Sequence, residues 1–220
     1  MGSLQKLLAQ TRRPEGRMGE LVVSSMNWGH AKLADWGMEQ VADLRPERIA
    51  DLGCGGGRNV SEMLRRYPDA TVTALDYAPL CVSATEEKNR DAIDLGRCRV
   101  VQGSVDALPL PGQSFDLVTA FETVYFWPEP ERSFAQVLRI MKPGGTFLIV
   151  HESNGKDLTG RLFARRIEGM TLYTPERLVS LLEEAGFTDV CLITRPKKPW
   201  MAIRARREET GNDRYRPGKR

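Results

Sequence analysis

Asp51, Gly53, Gly55 and Gly57 recur at every second position of the stretch Ile49-Ala-Asp-Leu-Gly-Cys-Gly-Gly-Gly-Arg-Asn59. A backbone this rich in glycine takes positive φ easily and comes close to a ligand that a Cβ would push away. A helix starting at Arg58 points its free N–H groups into the same space. Asp76 ends a second apolar run, Thr71-Val-Thr-Ala-Leu, nineteen residues after Gly57. A carboxylate there can accept hydrogen bonds from both hydroxyls of a ribose. It can also cap the helix that begins beyond Ala78, and the two roles are compatible. These residues predict a nucleotide or nucleoside pocket at the end of a parallel strand. Dinucleotide loops instead read G-x-G-x-x-G and have no acid two places ahead of the first glycine. Here Asp51 stands at that place, and Arg58 occupies the register of the third glycine.

The elements that must position these residues alternate between strand and helix, which implies a parallel sheet covered on both faces. Strands are expected at Ile49–Leu52, Thr71–Leu75, Arg99–Gln102, Phe115–Ala120 and Thr146–His151. Helices are expected at Arg58–Tyr67, Pro79–Asp94 and Pro130–Met141, with Pro143-Gly144-Gly145 turning the chain into the fifth strand. Upstream, Trp28 to Leu44 reads as one amphipathic helix that buries Leu33, Trp36, Val41 and Leu44 and ends at Pro46. Downstream, Asp157–Glu168 and Pro175–Ala185 read as helices, the second capped by Gly186. A closing hairpin-like pair, Thr188–Arg195 and Trp200–Arg206, follows across Pro196-Lys197-Lys198-Pro199.

The 220 residues fit one domain with a full core, at 41% hydrophobic and 28% charged. No apolar run approaches membrane-spanning length. Leu4, Leu7 and Leu8 share a face if the first residues are helical, so an amphipathic leading helix is expected there rather than a targeting peptide. Lys6 stands where a myristoylation signal needs Ser or Thr. Cys54, Cys81, Cys98 and Cys191 are scattered, without a C-x-x-C pair or nearby histidines, which argues against zinc and against a disulfide framework. Reduced thiols in the cytoplasm are the simplest expectation. From Arg195 to Arg220 ten basic and three acidic residues give +7, leaving −4 for the rest of a chain whose total is +3. The polar, Pro/Gly-containing end of that tail reads as a solvated segment rather than a nucleic-acid anchor.

The pattern D-x-G-x-G-x-G resembles motif I of the class I S-adenosylmethionine-dependent methyltransferases. From about Ile49 to Val150 the chain is similar to that family throughout, particularly to its ubiquinone/menaquinone-biosynthesis branch. Gln102-Gly-Ser-Val-Asp-Ala-Leu-Pro109, followed by Gln113-Ser-Phe-Asp-Leu-Val118, resembles the family's G-D-A-x-x-L-P…F-D-x-V run. Tyr173-Thr-Pro-Glu-Arg-Leu and Glu183-Glu-Ala-Gly-Phe187 fit as well. The resemblance implies an α/β, Rossmann-like fold: a seven-stranded, mostly parallel sheet, helices on both faces and an N-terminal helical lid. It implies S-adenosyl-L-methionine as cofactor, a small-molecule substrate as partner, and no metal. The cofactor-binding residues it implies are Asp51, Gly53, Cys54, Gly55, Gly57, Arg58, Asn59, Asp76, Tyr77, Ser104, Val105 and Phe121, with Met26 and His30 from the lid. Arg58 and Asn59 would meet the cofactor's methionine carboxylate, although a solvated Arg58 fits equally. Ser104 departs from the family, which usually places there the Asp that accepts from the adenine amino group; Ser accepts without full charge. Asp106 is an alternative acceptor or a turn residue, and Val105 would touch the ring.

Methyl transfer is an in-line displacement, so the protein's main task is alignment and desolvation of the nucleophile. A base is needed only where the nucleophile must lose a proton. His151 and Glu152 at the end of the fifth strand are candidates, with His30, Glu122 and Tyr125 as rivals. In Ala120-Phe-Glu-Thr-Val-Tyr-Phe-Trp127, Glu122 and Tyr125 are expected in the pocket, and Phe126 is expected to pack the next helix onto the sheet. Aromatic faces there can surround a sulfonium. No N/D-P-P-Y/F tetrad of nucleic-acid or protein methylation follows the fourth strand. Two other classes stay open: a cofactor-binding protein without catalysis, and a nicotinamide-dependent oxidoreductase, which the loop spacing disfavours. The expected organisation is a lid segment over 1–45, a methyltransferase domain over 46–207 and a flexible basic tail over 208–220. The sequence leaves the oligomeric state, the methyl acceptor and the methylated element open.

Overall fold

The apolar run at Ile49 forms β1 (Arg48–Leu52), buried from its second residue to its last. It pairs in parallel with β2 (Thr71–Asp76) on one side and β4 (Phe115–Phe121) on the other. Strands covered on both faces lose the alternation of apolar and polar residues, so they read as continuous apolar runs. The computed structural model describes residue 8 and residues 10–209. The leading-helix residues Leu4 and Leu7, and the tail beyond residue 209, lie outside the described residues.

Beyond β2 lies β3 (Cys98–Gln102), and beyond β4 lies β5 (Met141–His151), both parallel. The last strand, β7 (Met201–Arg206), inserts antiparallel between β5 and β6 (Thr188–Thr194). The order is β3-β2-β1-β4-β5-β7-β6. Chain direction along the sheet reverses between β1 and β4, and the crevice at their carboxyl ends is where such folds hold ligands. This is the seven-stranded, mostly parallel sheet that the resemblance implies. The fifth strand starts earlier than expected. It includes Pro143-Gly144-Gly145, and Gly144 (φ +75°) sits in a register shift between Phe115 and Leu117.

The helices are α1 (Gly16–Gly29), α2 (Ala31–Glu39), α3 (Arg58–Arg66), α4 (Pro79–Lys88), α5 (Arg90–Asp94), α6 (Pro130–Ile140), α7 (Leu158–Ala164) and α8 (Pro175–Glu184). The helix expected over Asp157–Glu168 ends at Ala164, and two others differ from expectation for identifiable reasons. The helix expected over Trp28–Leu44 is broken at His30 (φ −94°, ψ 3°) beside Gly29, a poor helix former. It also stops at Glu39, where Arg204 donates to the Gln40 carbonyl at 2.9 Å. Leu33, Trp36 and Val41 are buried as expected, whereas Leu44 is only half-buried. The helix expected over Pro79–Asp94 divides at Asn89, whose side-chain amide donates to the Gly57 and Thr85 carbonyls. That tertiary demand overrides continuous helix. Thr174 caps α8 through the Arg177 N–H, and Gly186 (φ +97°) follows its end.

Candidate active site

The glycine loop leaves β1 with Gly53, Gly55 and Gly57 all at positive φ (+83°, +53° and +74°). The Gly53 and Cys54 N–H groups donate to the Leu75 carbonyl at 2.7 and 3.0 Å, tying the loop to the end of β2. The two outer glycines are needed for packing. A Cβ on Gly53 would stand 2.3 Å from Thr123 Oγ1, and one on Gly57 2.7 Å from Asn89 Nδ2. Gly55 is different, because a Cβ there would meet nothing within 4 Å. Its face opens into a cavity of about 260 Å³ at the carboxyl ends of the parallel strands.

Asp76 fixes that opening. Its Oδ2 accepts from the Gly55 N–H and its Oδ1 from the Ala78 N–H, each at 3.0 Å, so one carboxylate braces both the loop and the start of α4. Only 6% exposed, it lines the cavity, and burial raises its pKa above the ordinary value. Asp51 lies beneath the loop and does not line the cavity. It accepts from Thr119 Oγ1 at 2.7 Å, and burial pushes its pKa up to about 7. From α4, Thr85 Oγ1 donates to the Gly55 carbonyl at 2.9 Å and meets Cys54 Sγ at 3.4 Å. Burial pushes the Cys54 thiol up as well, which keeps it protonated. Past the end of β3, Gly103, Ser104 and Val105 line the opposite flank. The Ser104 hydroxyl donates to the Asp106 carboxylate.

Helix α1 supplies the other wall. Val23, Met26, Asn27 and His30 line the cavity at i, i+3, i+4 and i+7, the spacing that puts residues on one helical face. Asn27 Nδ2 donates to the Gly56 carbonyl at 3.3 Å, joining this helix to the loop. Ahead of α1, Thr11, Arg12 and Pro14 complete the mouth, where the Tyr77 hydroxyl donates to the Arg12 carbonyl. Arg58 and Asn59, on the first turn of α3, also face the cavity. The Arg58 guanidinium pairs with Asp35 at 2.5 Å.

Beyond β4 the cavity is lined by Phe121, Glu122, Thr123, Phe126 and Trp127. Glu122 has φ +55°, a conformation that a non-glycine residue adopts at some strain. Its carboxylate accepts from the Glu152 N–H and from the Tyr125 hydroxyl, the latter at 3.1 Å. Burial raises its pKa to about 7. His30 Nε2 stands 3.9 Å from Glu122 and 3.7 Å from Glu152, and its own pKa is lowered by burial. The cavity therefore carries, at one end, a carboxylate that titrates near neutrality beside an uncharged imidazole. Such a pair can take a proton from a bound hydroxyl or amine.

Of the residues read from sequence, the structure gathers Gly53, Cys54, Gly55, Arg58, Asn59, Asp76, Tyr77, Ser104, Val105, Phe121, Glu122, Met26 and His30 around this one cavity. Asp51, Gly57, Tyr125 and His151 stand behind its walls. The 3₁₀ turn Val124–Phe126 sends Phe126 into the cavity and Tyr125 away from it, the reverse of expectation. His151 is buried with its ring 5.2 Å from that of Tyr125, and its Nε2 has no hydrogen-bond partner among the described residues. Burial lowers its pKa to about 3, which makes it a weak base at neutral pH. Sequence reading missed the braces Thr85 and Asn89, whose only signal is two polar residues four apart on the inward face of α4. It also missed Thr11 and Arg12 at the mouth and Thr123, which accepts from Trp127 Nε1 at 3.1 Å.

The sheet order, the glycine loop and the acid ending β2 are together those of a class I S-adenosylmethionine-dependent methyltransferase domain. A family profile described as "Methyltransferase domain" matches residues 50–149. The chain is 30% identical over 147 residues to a ubiquinone/menaquinone biosynthesis C-methyltransferase of Methylobacterium nodulans, covering 56% of this chain and 58% of that protein. It is 26% identical over 139 residues to a chloroplastic 2-methyl-6-phytyl-1,4-hydroquinone methyltransferase of rice, covering 63% of this chain and 40% of that one. The chain thus spans less than two thirds of either relative's length. In fold it is similar to human N-acetylserotonin methyltransferase solved with S-adenosylmethionine, with a TM-score of 0.69, 19% identity and 85% and 55% of the two chains covered.

Proposed function

We propose that this protein transfers a methyl group from S-adenosylmethionine to a small-molecule acceptor by in-line displacement. The observation that carries the proposal is Asp76, a buried carboxylate at the cavity wall beside Gly55, whose absent side chain leaves open the volume a nucleoside needs. When bound, the cofactor supplies an electrophilic methyl group on a sulfonium. Asp76 accepts from the ribose hydroxyls, Ser104 from the adenine amino group, and Val105 packs on the base. Arg58, oriented by Asp35, and Asn59 donate to the carboxylate end. Phe121, Phe126 and Trp127 exclude water from the acceptor. Glu122 takes the acceptor's proton where one must leave, and Tyr125 acts through Glu122 as a positioning residue. Asp51 and Gly57 act by shaping the loop, and His151 has no assigned step.

The segment over 1–45 serves as a lid on the domain over 46–207, with the face Val23, Met26, Asn27 and His30 closing over the ligand. Hydrogen exchange in α1 should slow when S-adenosylhomocysteine is added, and equal exchange in both states would leave a fixed wall instead. The four cysteines are free thiols, which suits a reducing, cytoplasmic setting. Among the described residues no helix is long and apolar enough to cross a membrane. An acceptor of quinol type, by analogy with the relatives' names, suits the apolar and aromatic lining better than a polymer does. Titration calorimetry with S-adenosylmethionine and with NAD tests the cofactor. Release of S-adenosylhomocysteine over a panel of hydroquinones, phenols and fatty acids tests the reaction. Preference for NAD overturns the proposal. Tight binding with no turnover across the panel makes the protein a cofactor-binding module.

A further inference from the structure

Helix α7 and the turn after it stand out because the fold gains so little from them. None of the seven residues Leu158–Ala164 is buried. Leu158 is 71% exposed, Leu162 44% and Phe163 50%. Gly160 and Ala164 are half-buried and face the protein, Gly160 resting against Ser153. The helical period then turns Leu158 and Leu162 outward, with Phe163 to one side and Arg165 and Arg166 flanking them. Arg161 is exposed on the same helix. None of Arg161, Arg165 and Arg166 has an ion-pair partner among the described residues. Glu168 is the only acid between 158 and 169.

A second exposed apolar stripe lies on α1. Met18, Leu21 and Trp28 are 50%, 73% and 83% exposed and share the face opposite the one that lines the cavity. The segment ahead of α1 meets the turn after α7 at the cavity mouth, where Arg12 Nη1 donates to the Glu168 carbonyl at 3.4 Å. Exposed Leu, Phe and Trp interleaved with unpaired arginines are the composition of a helix lying in a membrane interface, its apolar side among acyl chains and its guanidinium groups on phosphate. A protein partner would need carboxylates facing each arginine, whereas an anionic lipid surface offers charge at every position.

We infer that the rim formed by α7 and the outer face of α1 docks this protein on an anionic phospholipid surface, with the mouth of the cavity beside the bilayer. The inference concerns where the protein works and does not depend on methyl transfer being its activity.

The test is co-sedimentation of the full chain with phosphatidylcholine vesicles, with and without about one third phosphatidylglycerol, at low and at high salt. The full chain should sediment with the anionic vesicles, and at high salt its binding should fall about tenfold or more. Leu162→Asp/Phe163→Asp should lower vesicle binding by a similar factor, and Arg161→Glu/Arg165→Glu should remove the salt-sensitive part. These residues are exposed, so unchanged circular dichroism and unchanged S-adenosylhomocysteine affinity identify folded variants. Three results overturn the inference: no sedimentation of the full chain, equal binding by the Asp variant, or loss of binding only when residues 210–220 are removed. A variant that instead halves the mass measured by sedimentation velocity makes the face an interface between copies, which also overturns it.

Discussion

Replacing Asp51 by Asn should make the fold less sensitive to pH. Asp51 is 2% exposed, and among the described residues no partner but Thr119 Oγ1 stabilises its charge, with the Asp76 carboxylate nearby opposing it. Its pKa is raised from 3.8 to about 7. The folded state therefore holds the proton more tightly than the unfolded chain. The stability this supplies is complete below pH 3.8 and is lost as pH rises to about 7. At about 1.4 kcal/mol per unit, the two units between about pH 5 and 7 remove roughly 3 kcal/mol, and nothing further is lost above that. Glu122, also raised to about 7, adds a loss of the same sign, so the wild-type slope alone assigns nothing. The difference between wild type and Asp51→Asn isolates this one group. Asn has the same shape and still accepts from Thr119, so stability measured by urea unfolding should match wild type near about pH 5 to within roughly 2 kcal/mol. By about pH 8 the variant should gain roughly 3 kcal/mol relative to that difference. Parallel pH profiles for the two proteins would refute the reasoning, because they would mean that Asp51 titrates alike in the folded and unfolded chains.

Asp76→Ala should weaken S-adenosylmethionine binding by about 1–3 kcal/mol in titration calorimetry, the scale of a lost charged hydrogen bond, and unchanged affinity would remove Asp76 from the ribose site. Gly55→Ala meets no protein atom, so it should lower thermal stability only by the left-handed backbone strain, about 1 kcal/mol, yet reduce ligand affinity more than that. An equal loss in both would place the ligand away from Gly55. Glu122→Gln should lower turnover about 100-fold for an acceptor that loses a proton. It should also abolish a rise of kcat/KM with pH centred at about 7, while affinity for S-adenosylhomocysteine stays unchanged.

The loop and the strands were legible because each rests on local chemistry: alternate glycines need positive φ, and strands covered on both faces need unbroken apolar runs. Asp76 was legible as a cap, since it accepts from the Ala78 N–H, and as a carboxylate at the cavity wall, where the ribose role is proposed. What stayed hidden depends on contacts distant in sequence. Asn89 divides a helix because its amide is drawn to the Gly57 carbonyl, thirty-two residues upstream. Tyr125 and Phe126 exchanged their expected places because one 3₁₀ turn decides which neighbour faces inward, and periodicity carries no information about so short an element. The pairing of Arg58 with Asp35, which holds a cavity-lining cation in place, likewise follows from how α2 lies against α3.

The position of β7 bears on how the chain is made. Its residues 201–206 lie inside the sheet, between two strands that precede it in sequence. Until they leave the ribosome, β5 presents an open edge along Phe147, Leu148, Ile149 and Val150, all buried in the finished protein. The parallel half with its glycine loop can assemble earlier, but an apolar edge of that length pairs readily with another nascent chain. The interval between synthesis of β5 and of β7 is therefore when this protein most needs a holding chaperone, and slowed translation between codons 151 and 201 should increase aggregation rather than improve folding.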